Sequence, residues 1–274
     1  MTKLSMPSAN GIPLLGSGTY PLMGDECYRT VLMALELGLR HIDTAQMYGN
    51  EKDVGRALRD SGLPRGDLFV VTKVDPGNAG ASRFASTVAR SAEDLGGAPD
   101  LLLIHWPPAD AEMDAVLDRL MAERQKGNTR AIGVSNFSPA MMRHAQKRCG
   151  GAIVNNQVEF HPLLDQSAIL ATARELNIAL SAYSPLARGW AMKPAPIAEI
   201  AARINRAPSE VVLRWILQQG VAAIPMTTKR ENMLSNIAAL DFALSAEDMA
   251  AISAIGTRQG RTINPSWMAG RWEP

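Results

Sequence analysis

The stretch DLFVVTKVDPGNAGASRFASTVARSAEDLGGAPDLLLIHW, residues 67–106, contains the repeating unit of this chain. It begins with an apolar run at 67–74, continues with an amphipathic segment at 82–97 and ends with a second apolar run at 99–106. Short apolar runs bounded by Gly and Pro are typical of strands that are buried on both faces. The order strand, helix, strand predicts two parallel strands joined by a right-handed crossover.

Strand-like runs of this kind occur eight times, and helix-like segments follow each of them. They are LLGSGTY, LRHIDTA, DLFVVTKV, PDLLLIHW, TRAIGVSNF, AIVNNQVEF, IALSAYSPL and VAAIPM. Eight such units in about 250 residues predict an α/β protein with a closed (β/α)8 TIM barrel. An Asn-Gly pair at 10–11 predicts an N-terminal β-hairpin, and SAEDMAAISAIG, 245–256, predicts an extra C-terminal helix. We expect one domain over residues 1–274, because no Pro-, Ser- or Gly-rich linker interrupts the series.

A doubly wound open sheet is the alternative architecture for alternating strands and helices. Such sheets often carry a G-x-G-x-x-G turn after the first strand, where a helix begins. The glycines of GSGTYPLMG, 16–24, do not have this spacing, and no helix pattern begins within it. The barrel is therefore the favoured prediction.

Composition excludes several classes of function. The 28 Lys and Arg residues nearly balance the 27 Asp and Glu residues, which argues against a nucleic-acid or anionic-membrane surface. No apolar stretch approaches the length of a membrane span, and residues 1–18 lack a signal-peptide pattern. Cys27 and Cys149 lie too far apart to indicate a metal motif, and we expect reduced thiols. We expect a cytoplasmic monomer that binds small molecules and no metal.

Polar residues end the predicted strands at regular intervals. Asp43, Lys73, His105 and Ser135 are separated by 30, 32 and 30 residues, about one strand-helix unit each. Asn136, Gln157 and Tyr183 end the fifth, sixth and seventh strands in the same way. Since the carboxyl ends of barrel strands form one face, we expect these side chains to converge there. Each alone has an ordinary interpretation, such as a solvated lysine or a core histidine, but together they indicate a catalytic rim.

The acid, lysine, tyrosine and histidine suit the reduction of a carbonyl group. A phenol near its ordinary pKa of about 10 is a weak acid, and a nearby ammonium lowers that pKa. Lys73, held by Asp43, is expected to act on Tyr48 in this way, while His105 donates to the same substrate oxygen. No G-x-S-x-G or H-E-x-x-H motif supplies a nucleophile or a metal site. Hydride from a bound cofactor is the natural missing reagent.

Seven segments carry a resemblance to a known family. HIDTAQMYGNE, VVTK, LIHWP, AIGVSNF, NQVEFHP, AYSPL and IPMTTKRENMLSN occur in this order. Together they resemble the signatures of the aldo-keto reductases, over about residues 11–255, and most of all the short bacterial members of the 2,5-diketo-D-gluconate reductase type. The resemblance implies a barrel that binds NADPH along its rim and uses Asp43, Tyr48, Lys73 and His105 as a catalytic tetrad.

The resemblance also implies the cofactor contacts. Ser135, Asn136 and Gln157 are expected to bind the nicotinamide carboxamide, and Tyr183 is expected to stack on the ring. Ser184 and Leu186 are expected to line the pyrophosphate, and Gly18 and Thr19 are expected to approach the cofactor from the first strand. The expected contacts near the adenosine 2′-phosphate are Thr227, Thr228, Lys229, Asn232 and Asn236. Asp43 is expected to lie beside the cofactor as well.

Two departures concern the choice between NADPH and NADH. Met226 and Asn232 stand where many relatives carry a lysine and an arginine that bind the 2′-phosphate. Lys229 and Arg230 lie between them, at a helix start where a cation opposes the helix dipole. That placement favours a phosphate partner, so we expect NADPH with NADH as a weaker cofactor.

The expected substrate site consists of Tyr20, Tyr48, His105, Trp106 and Trp267. The tail NPSWMAGRWEP either folds Trp267 over the mouth or docks as an ordinary terminus. Two other functions remain open on the same fold. One is a non-catalytic, NADPH-sensing regulatory subunit, and the other is a lyase that forms a Schiff base with Lys73.

Overall fold

A computed structural model describes residues 7–272 of the chain. The outermost parts of the expected 1–274 domain, residues 1–6 and 273–274, lie outside the described residues. The chain opens with an antiparallel hairpin of β1, Ser8–Ala9, and β2, Ile12–Pro13, in which Ala9 pairs with Ile12. Asn10 and Gly11 form its turn with positive φ, as the Asn-Gly signal predicts.

Eight parallel strands follow, and each pairs with the next one in the chain. They are β3 Gly16–Gly18, β4 His41–Asp43, β5 Phe69–Val74, β6 Leu101–Ile104, β7 Ala131–Ser135, β8 Ile153–Glu159, β9 Ala179–Tyr183 and β10 Ala222–Ala223. A parallel bridge between Leu15 and Ala223 joins the two edges of the sheet, and Gly18 N donates to Pro225 O at 3.1 Å. The predicted barrel is confirmed, and an open sheet is excluded.

Helices connect the strands and cover the barrel. They are α1 Gly24–Glu36, α2 Glu51–Asp60, α3 Phe84–Leu95, α4 Met113–Gln125, α5 Pro139–Arg148, α6 Ser167–Glu175, α7 Ala195–Arg203, α8 Pro208–Gln218, α9 Arg230–Ala238 and α10 Ala246–Ser253. Two of them, α7 and α8, lie between β9 and β10. The predicted extra C-terminal helix is α10, where the Ser245 hydroxyl caps the first turn by accepting from Asp248 N.

The strand faces and the inner stripes of the helices form one apolar core. Leu102, Leu103, Ile132 and Val134 of the central strands are completely buried, because helices cover one strand face and the barrel interior the other. Gly133 lies at the register shift between β7 and β8. A Cβ atom there would lie 2.6 Å from Asn155 O and 2.7 Å from Leu103 Cδ2, so glycine is required for close packing at this position.

The carboxyl ends of the strands form one face of the barrel. Within residues 7–272, no helix is both long enough and apolar enough to cross a bilayer. The same described residues contain no cluster of three or more His, Cys, Asp and Glu side chains arranged to hold a metal ion. Polar residues stand at the carboxyl ends of several of these strands, including Asp43 of β4 and Ser135 of β7.

Candidate active site

Four polar side chains meet where β4, β5 and β6 end. Asp43 is the last residue of β4, Lys73 lies in β5, His105 directly follows β6, and Tyr48 closes the 3-10 turn Gln46–Tyr48. Lys73 Nζ donates to Asp43 Oδ1 at 2.6 Å and to the Tyr48 hydroxyl at 3.3 Å. The Tyr48 and His105 rings meet edge to face, with centroids 5.5 Å apart. The structure therefore brings together the four residues expected at the rim.

Lys73 is completely buried and charged. Its third hydrogen bond goes to Thr44 O at 2.9 Å. Burial lowers the pKa of Lys73, but Asp43 and Tyr48 raise it by more, so the pKa lies above its ordinary value. A Schiff base requires an uncharged, accessible amine, which this buried ammonium does not offer. Buried ion pairs are weak stabilisers, so stability alone does not account for this one.

Tyr48 differs from the sequence expectation in its acidity. Burial raises the pKa of Tyr48 above its ordinary value, and the Lys73 ammonium opposes that rise without cancelling it. Lys73 lowers the pKa of Tyr48, as expected. The expectation of a lowered pKa overall is wrong, because desolvation of the phenolate raises the pKa by more than Lys73 lowers it. Tyr48 is consequently a protonated phenol at neutral pH, able to give its proton to a stronger base.

His105 is uncharged at neutral pH. Burial, followed by repulsion from Lys73, lowers the pKa of His105 to about 3. Its Nδ1 atom is buried and has no hydrogen-bond partner among the residues described. The side chain of Asn136 fixes the backbone here, because its Nδ2 donates to His105 O at 3.1 Å. Asn136, which follows β7, therefore helps to hold the neutral His105 ring beside Tyr48.

The expected carboxamide ligands form a continuous hydrogen-bond network with the tetrad. Gln157 Nε2 donates to Asp43 Oδ2 at 2.7 Å, and Ser135 Oγ donates to Gln157 O at 2.8 Å. The Tyr183 hydroxyl donates to Asn136 Oδ1 at 2.8 Å, which holds the outer end of the ring in place. Burial raises the pKa of Tyr183, so it stays protonated. Asp43 thus holds both Lys73 and Gln157.

Unusual backbone conformations occur in the same region. Asn136 and Ser184, which follow β7 and β9, both have positive φ although neither is glycine. Such residues cluster at functional sites, where the surrounding structure maintains them. Leu186 lies two residues beyond Ser184, in the same loop.

The other end of the expected cofactor groove is open to solvent. Thr228, Lys229 and Asn232 are exposed at the start of α9, Thr227 is half-buried, and Asn236 is buried inside the helix. Arg230 lies 3.5 Å from Glu36, whereas Lys229 forms no ion pair within residues 7–272. Gly18, the last residue of β3, lies beside Met226, since a Cβ atom on Gly18 would be 3.7 Å from Met226 Cβ, and Thr19 donates to Asp43 O at 2.9 Å.

Aromatic side chains surround the tetrad. Tyr20 is 58% exposed, and its ring centroid lies 5.1 Å from that of Tyr48. Trp267 meets Trp106 edge to face at 4.8 Å, so the C-terminal segment reaches the rim. The tail therefore contacts Trp106, the residue next to His105, and a role of Trp267 at the substrate mouth stays a prediction.

Two supporting residues are absent from the sequence predictions. Asn50 is completely buried and links the loops after β3 and β4: it accepts from Thr44 Oγ1 at 2.6 Å and donates to Leu22 O at 2.8 Å. Glu159, the last residue of β8, binds the C-terminal segment. Both lie inside the quoted family segments, and a polar residue embedded in an apolar strand end is the signal that could have identified Glu159.

Comparisons with known proteins match one family over most of the chain. Residues 10–257 match the model of the aldo/keto reductase family. The chain is 38% identical to methylglyoxal reductase DkgB of Escherichia coli O157:H7 over 266 residues, 96% of this chain and 99% of that protein. It is 38% identical to the 9,11-endoperoxide prostaglandin H2 reductase of Trypanosoma cruzi, over 89% of this chain and 88% of that protein.

Solved structures are similar over nearly the whole chain. The crystal structure of a putative 2,5-diketo-D-gluconic acid reductase B has a TM-score of 0.94 and 40% identity, covering 98% of this chain and 97% of that one. A Bombyx mori aldo-keto reductase in complex with NADP has a TM-score of 0.90 and 27% identity, with all of both chains covered. With a matching family model, close relatives and a barrel of the same form, this chain belongs to the aldo/keto reductase family and is an NAD(P)H-dependent oxidoreductase.

Proposed function

We propose that this enzyme reduces a small aldehyde or ketone to an alcohol, with NADPH as hydride donor and Tyr48 as general acid. The observation that carries the proposal is the hydrogen-bonded chain from Asp43 through Lys73 to Tyr48, with the neutral His105 ring beside the phenol. The relatives named after methylglyoxal and 2,5-diketo-D-gluconic acid support dicarbonyls and keto-sugars as the substrate class.

Tyr48 is the group that delivers the proton. A carbonyl oxygen that lies between Tyr48 and His105 becomes an alkoxide as hydride arrives, and an alkoxide is a stronger base than a phenolate. The raised pKa of Tyr48 therefore keeps the phenol protonated without preventing the transfer. The buried Lys73 ammonium stabilises the phenolate left behind, and Asp43 keeps that ammonium in place.

His105 orients the carbonyl oxygen. A pKa of about 3 means that the ring acts as a neutral donor and not as an acid. Because Nδ1 is buried, Nε2 is the nitrogen that can reach a substrate oxygen. Two converging donors, the phenol and the imidazole, stabilise the charge that develops on that oxygen.

The residues present fit a nicotinamide cofactor. When bound, NADPH supplies the hydride for the carbonyl carbon. Gln157 uses its Nε2 for Asp43, and its Oε1 accepts no hydrogen bond from residues 7–272, which leaves an acceptor for a carboxamide NH2. Ser135 and Asn136 lie beside it, and Tyr183 offers a fixed, half-buried ring for stacking. Ser184 and Leu186 are proposed to follow the pyrophosphate, with Gly18 and Thr19 on the first-strand side.

The start of α9 is proposed to select NADPH over NADH. Lys229 is exposed and has no carboxylate partner in the described chain, while the hydroxyls of Thr227 and Thr228 lie beside it in sequence. A phosphate would gain a cation and hydroxyl donors here, together with a helix N-terminus. Asn232 and Asn236 are the further ligands on the same helix. Arg230 is the weaker candidate because Glu36 already pairs with it.

The test is a panel of substrates with both cofactors. NADPH and NADH oxidation would be followed with methylglyoxal, phenylglyoxal, diketones, keto-sugars and simple aldehydes. We expect turnover of dicarbonyls with NADPH and slower turnover with NADH. Binding of NADPH without turnover of any carbonyl would instead support the regulatory-subunit alternative.

A further inference from the structure

The carboxylate of Glu159 is saturated by donors from the C-terminal segment. It is completely buried at the end of β8, and Thr262 N donates to its Oε1 at 2.7 Å and Ile263 N to its Oε2 at 3.1 Å. The Thr262 hydroxyl donates to it as well, and His161 Nε2 completes the set at 2.9 Å. Burial raises the pKa of Glu159, but these donors lower it by more, so the carboxylate is charged.

Residues 257–272 form what we call the C-terminal strap. Thr257 exchanges two backbone hydrogen bonds with the loop after β8, namely Thr257 N to Leu163 O at 3.0 Å and Asp165 N to Thr257 O at 3.1 Å. The strap then passes so close to this loop that a Cβ atom at Gly260 would lie 1.7 Å from Leu163 O. Glycine is therefore required where the strap turns toward Glu159.

The far end of the strap is attached to the loop after β6. Arg271 donates to Pro108 O and to Asp110 Oδ1, each at 2.7 Å. Between the two attachments, Trp267 packs on Trp106, the residue next to His105. The strap thus crosses the rim from β8 to β6 and brings Trp267 to the proposed substrate mouth.

Arg261 links the two ends of the strap, because it packs on Trp272. Its guanidinium lies 3.7 Å from the centre of the Trp272 ring, and its Nη1 lies 3.7 Å from Glu159 Oε2. This long ion pair is secondary to the shorter hydrogen bonds from Thr262 and Ile263. Glu159 is therefore the centre of the attachment at β8.

We propose that Glu159 is a positioning residue that keeps the strap closed and thereby sets the preference for bulky carbonyl substrates. If the strap lifted, a buried carboxylate would lose three of its donors, which is strongly unfavourable. The same strand end presents Gln157 to Asp43 and Glu159 to the strap, so β8 supports both the tetrad and one wall of the mouth. The kinetic part of this inference rests on the proposed reduction.

The first experiment measures strap opening without any turnover. The bond after Arg261 is a trypsin site whose arginine side chain is only 12% exposed in the closed strap. Cleavage would be followed by mass spectrometry in native enzyme and in Glu159→Gln. We expect about tenfold faster cleavage in the variant, since proteolysis reports the open population. Glu123→Gln is the matched control, because Glu123 is equally buried but binds only Lys126 and Asn128 of its own helix region.

The second experiment compares methylglyoxal with phenylglyoxal, which differ only in the group beside the dicarbonyl. We expect Glu159→Gln to raise the KM of phenylglyoxal about tenfold, with much smaller changes in kcat and in the KM of methylglyoxal. Glu123→Gln should change neither the KM of phenylglyoxal nor the KM of methylglyoxal. Equal losses for both substrates would assign Glu159 a purely structural role and overturn the proposal.

A milder variant protects the test from misfolding. Thr262→Val removes one donor to Glu159 and should shift the KM ratio in the same direction by a smaller factor. Unchanged cleavage in Glu159→Gln together with an unchanged KM ratio in Thr262→Val would overturn the proposal. If the native enzyme turned over neither dicarbonyl, the proposed function would fail, whereas the cleavage rates would still decide the role of Glu159.

Discussion

Two lysines at the ends of the proposed cofactor groove have opposite surroundings. Lys73 is completely buried and donates to Asp43, Thr44 and Tyr48, whereas Lys229 is exposed and has no ion-pair partner in residues 7–272. A cation that assists proton transfer must have one position and a fixed charge, and burial with three acceptors provides both. A cation that attracts a phosphate works from solvent, where neither requirement holds. Substitution of Lys73 should therefore lower kcat, whereas substitution of Lys229 should weaken binding of the cofactor.

The largest expected effect is that of Tyr48→Phe. Removing the hydroxyl leaves the ring contacts with Tyr20 and His105 but no proton donor, so kcat should fall by about a thousandfold or more. Stopped-flow or steady-state oxidation of NADPH with methylglyoxal would measure the loss. Cofactor titration by fluorescence serves as the control, because NADPH affinity should be nearly unchanged; turnover close to that of the native enzyme would refute the role of Tyr48.

Lys73→Met should reduce both activity and stability. It leaves the Asp43 charge buried with Gln157 as a remaining partner, so the free energy of unfolding should fall by about 3–5 kcal/mol. Urea unfolding would measure this, and kcat should fall by about a hundredfold or more. The double variant Asp43→Asn with Lys73→Met should recover most of the stability but none of the activity; recovery of both would contradict an electrostatic role for the pair.

Lys229→Ala should affect cofactor choice and little else. We expect NADPH to bind about tenfold more weakly while NADH binding and kcat stay nearly constant, because only NADPH carries the 2′-phosphate. Fluorescence titration with both cofactors would measure the ratio. Arg230→Ala is the matched control at the neighbouring position, and the pairing of Arg230 with Glu36 predicts a smaller effect. Equal weakening of both cofactors by Lys229→Ala would show that the residue does not recognise the phosphate.

The smallest effect on rate concerns pH. His105 has an ordinary pKa of 6.5 and about 3 in the fold, so kcat/KM for reduction should show no step from His105 between about pH 5 and 8. A step near pH 6.5 that disappears in His105→Gln would contradict a neutral histidine.

The same lowered pKa has a consequence for stability. Since the unfolded chain binds this proton near pH 6.5 and the folded chain only near pH 3, the contribution of His105 to stability is complete above 6.5 and is lost as pH falls. Between about pH 3 and 6.5, the free energy of unfolding of His105→Gln should therefore depend less on pH than that of the native enzyme. His41 is also buried with a lowered pKa, so the comparison between the two proteins, and not the absolute slope, is informative.

Periodicity was sufficient for much of the architecture. The eight apolar runs, the Asn-Gly turn and the last helix each depend on local patterns, and all appear in the structure. The intervals between Asp43, Lys73 and His105 placed these residues on adjacent strand ends, because a regular barrel converts sequence spacing into neighbouring positions. Chemical reasoning about a lysine held by an acid then added Tyr48 as the proton donor, and the resemblance to aldo-keto reductases named NADPH as the cofactor.

Other features depend on contacts between segments that are distant in sequence. The net pKa of Tyr48 depends on how deeply the phenol is buried, and no local pattern reports that depth. The pairing of Arg230 with Glu36 joins α9 to α1, and the attachment of Thr262 to Glu159 spans 103 residues. Strand order and the proposed catalytic side chains thus follow from short-range patterns of apolar and polar residues. Acidity, ion pairing and the path of the strap follow from desolvation and hydrogen bonding, which exist only once the barrel has closed.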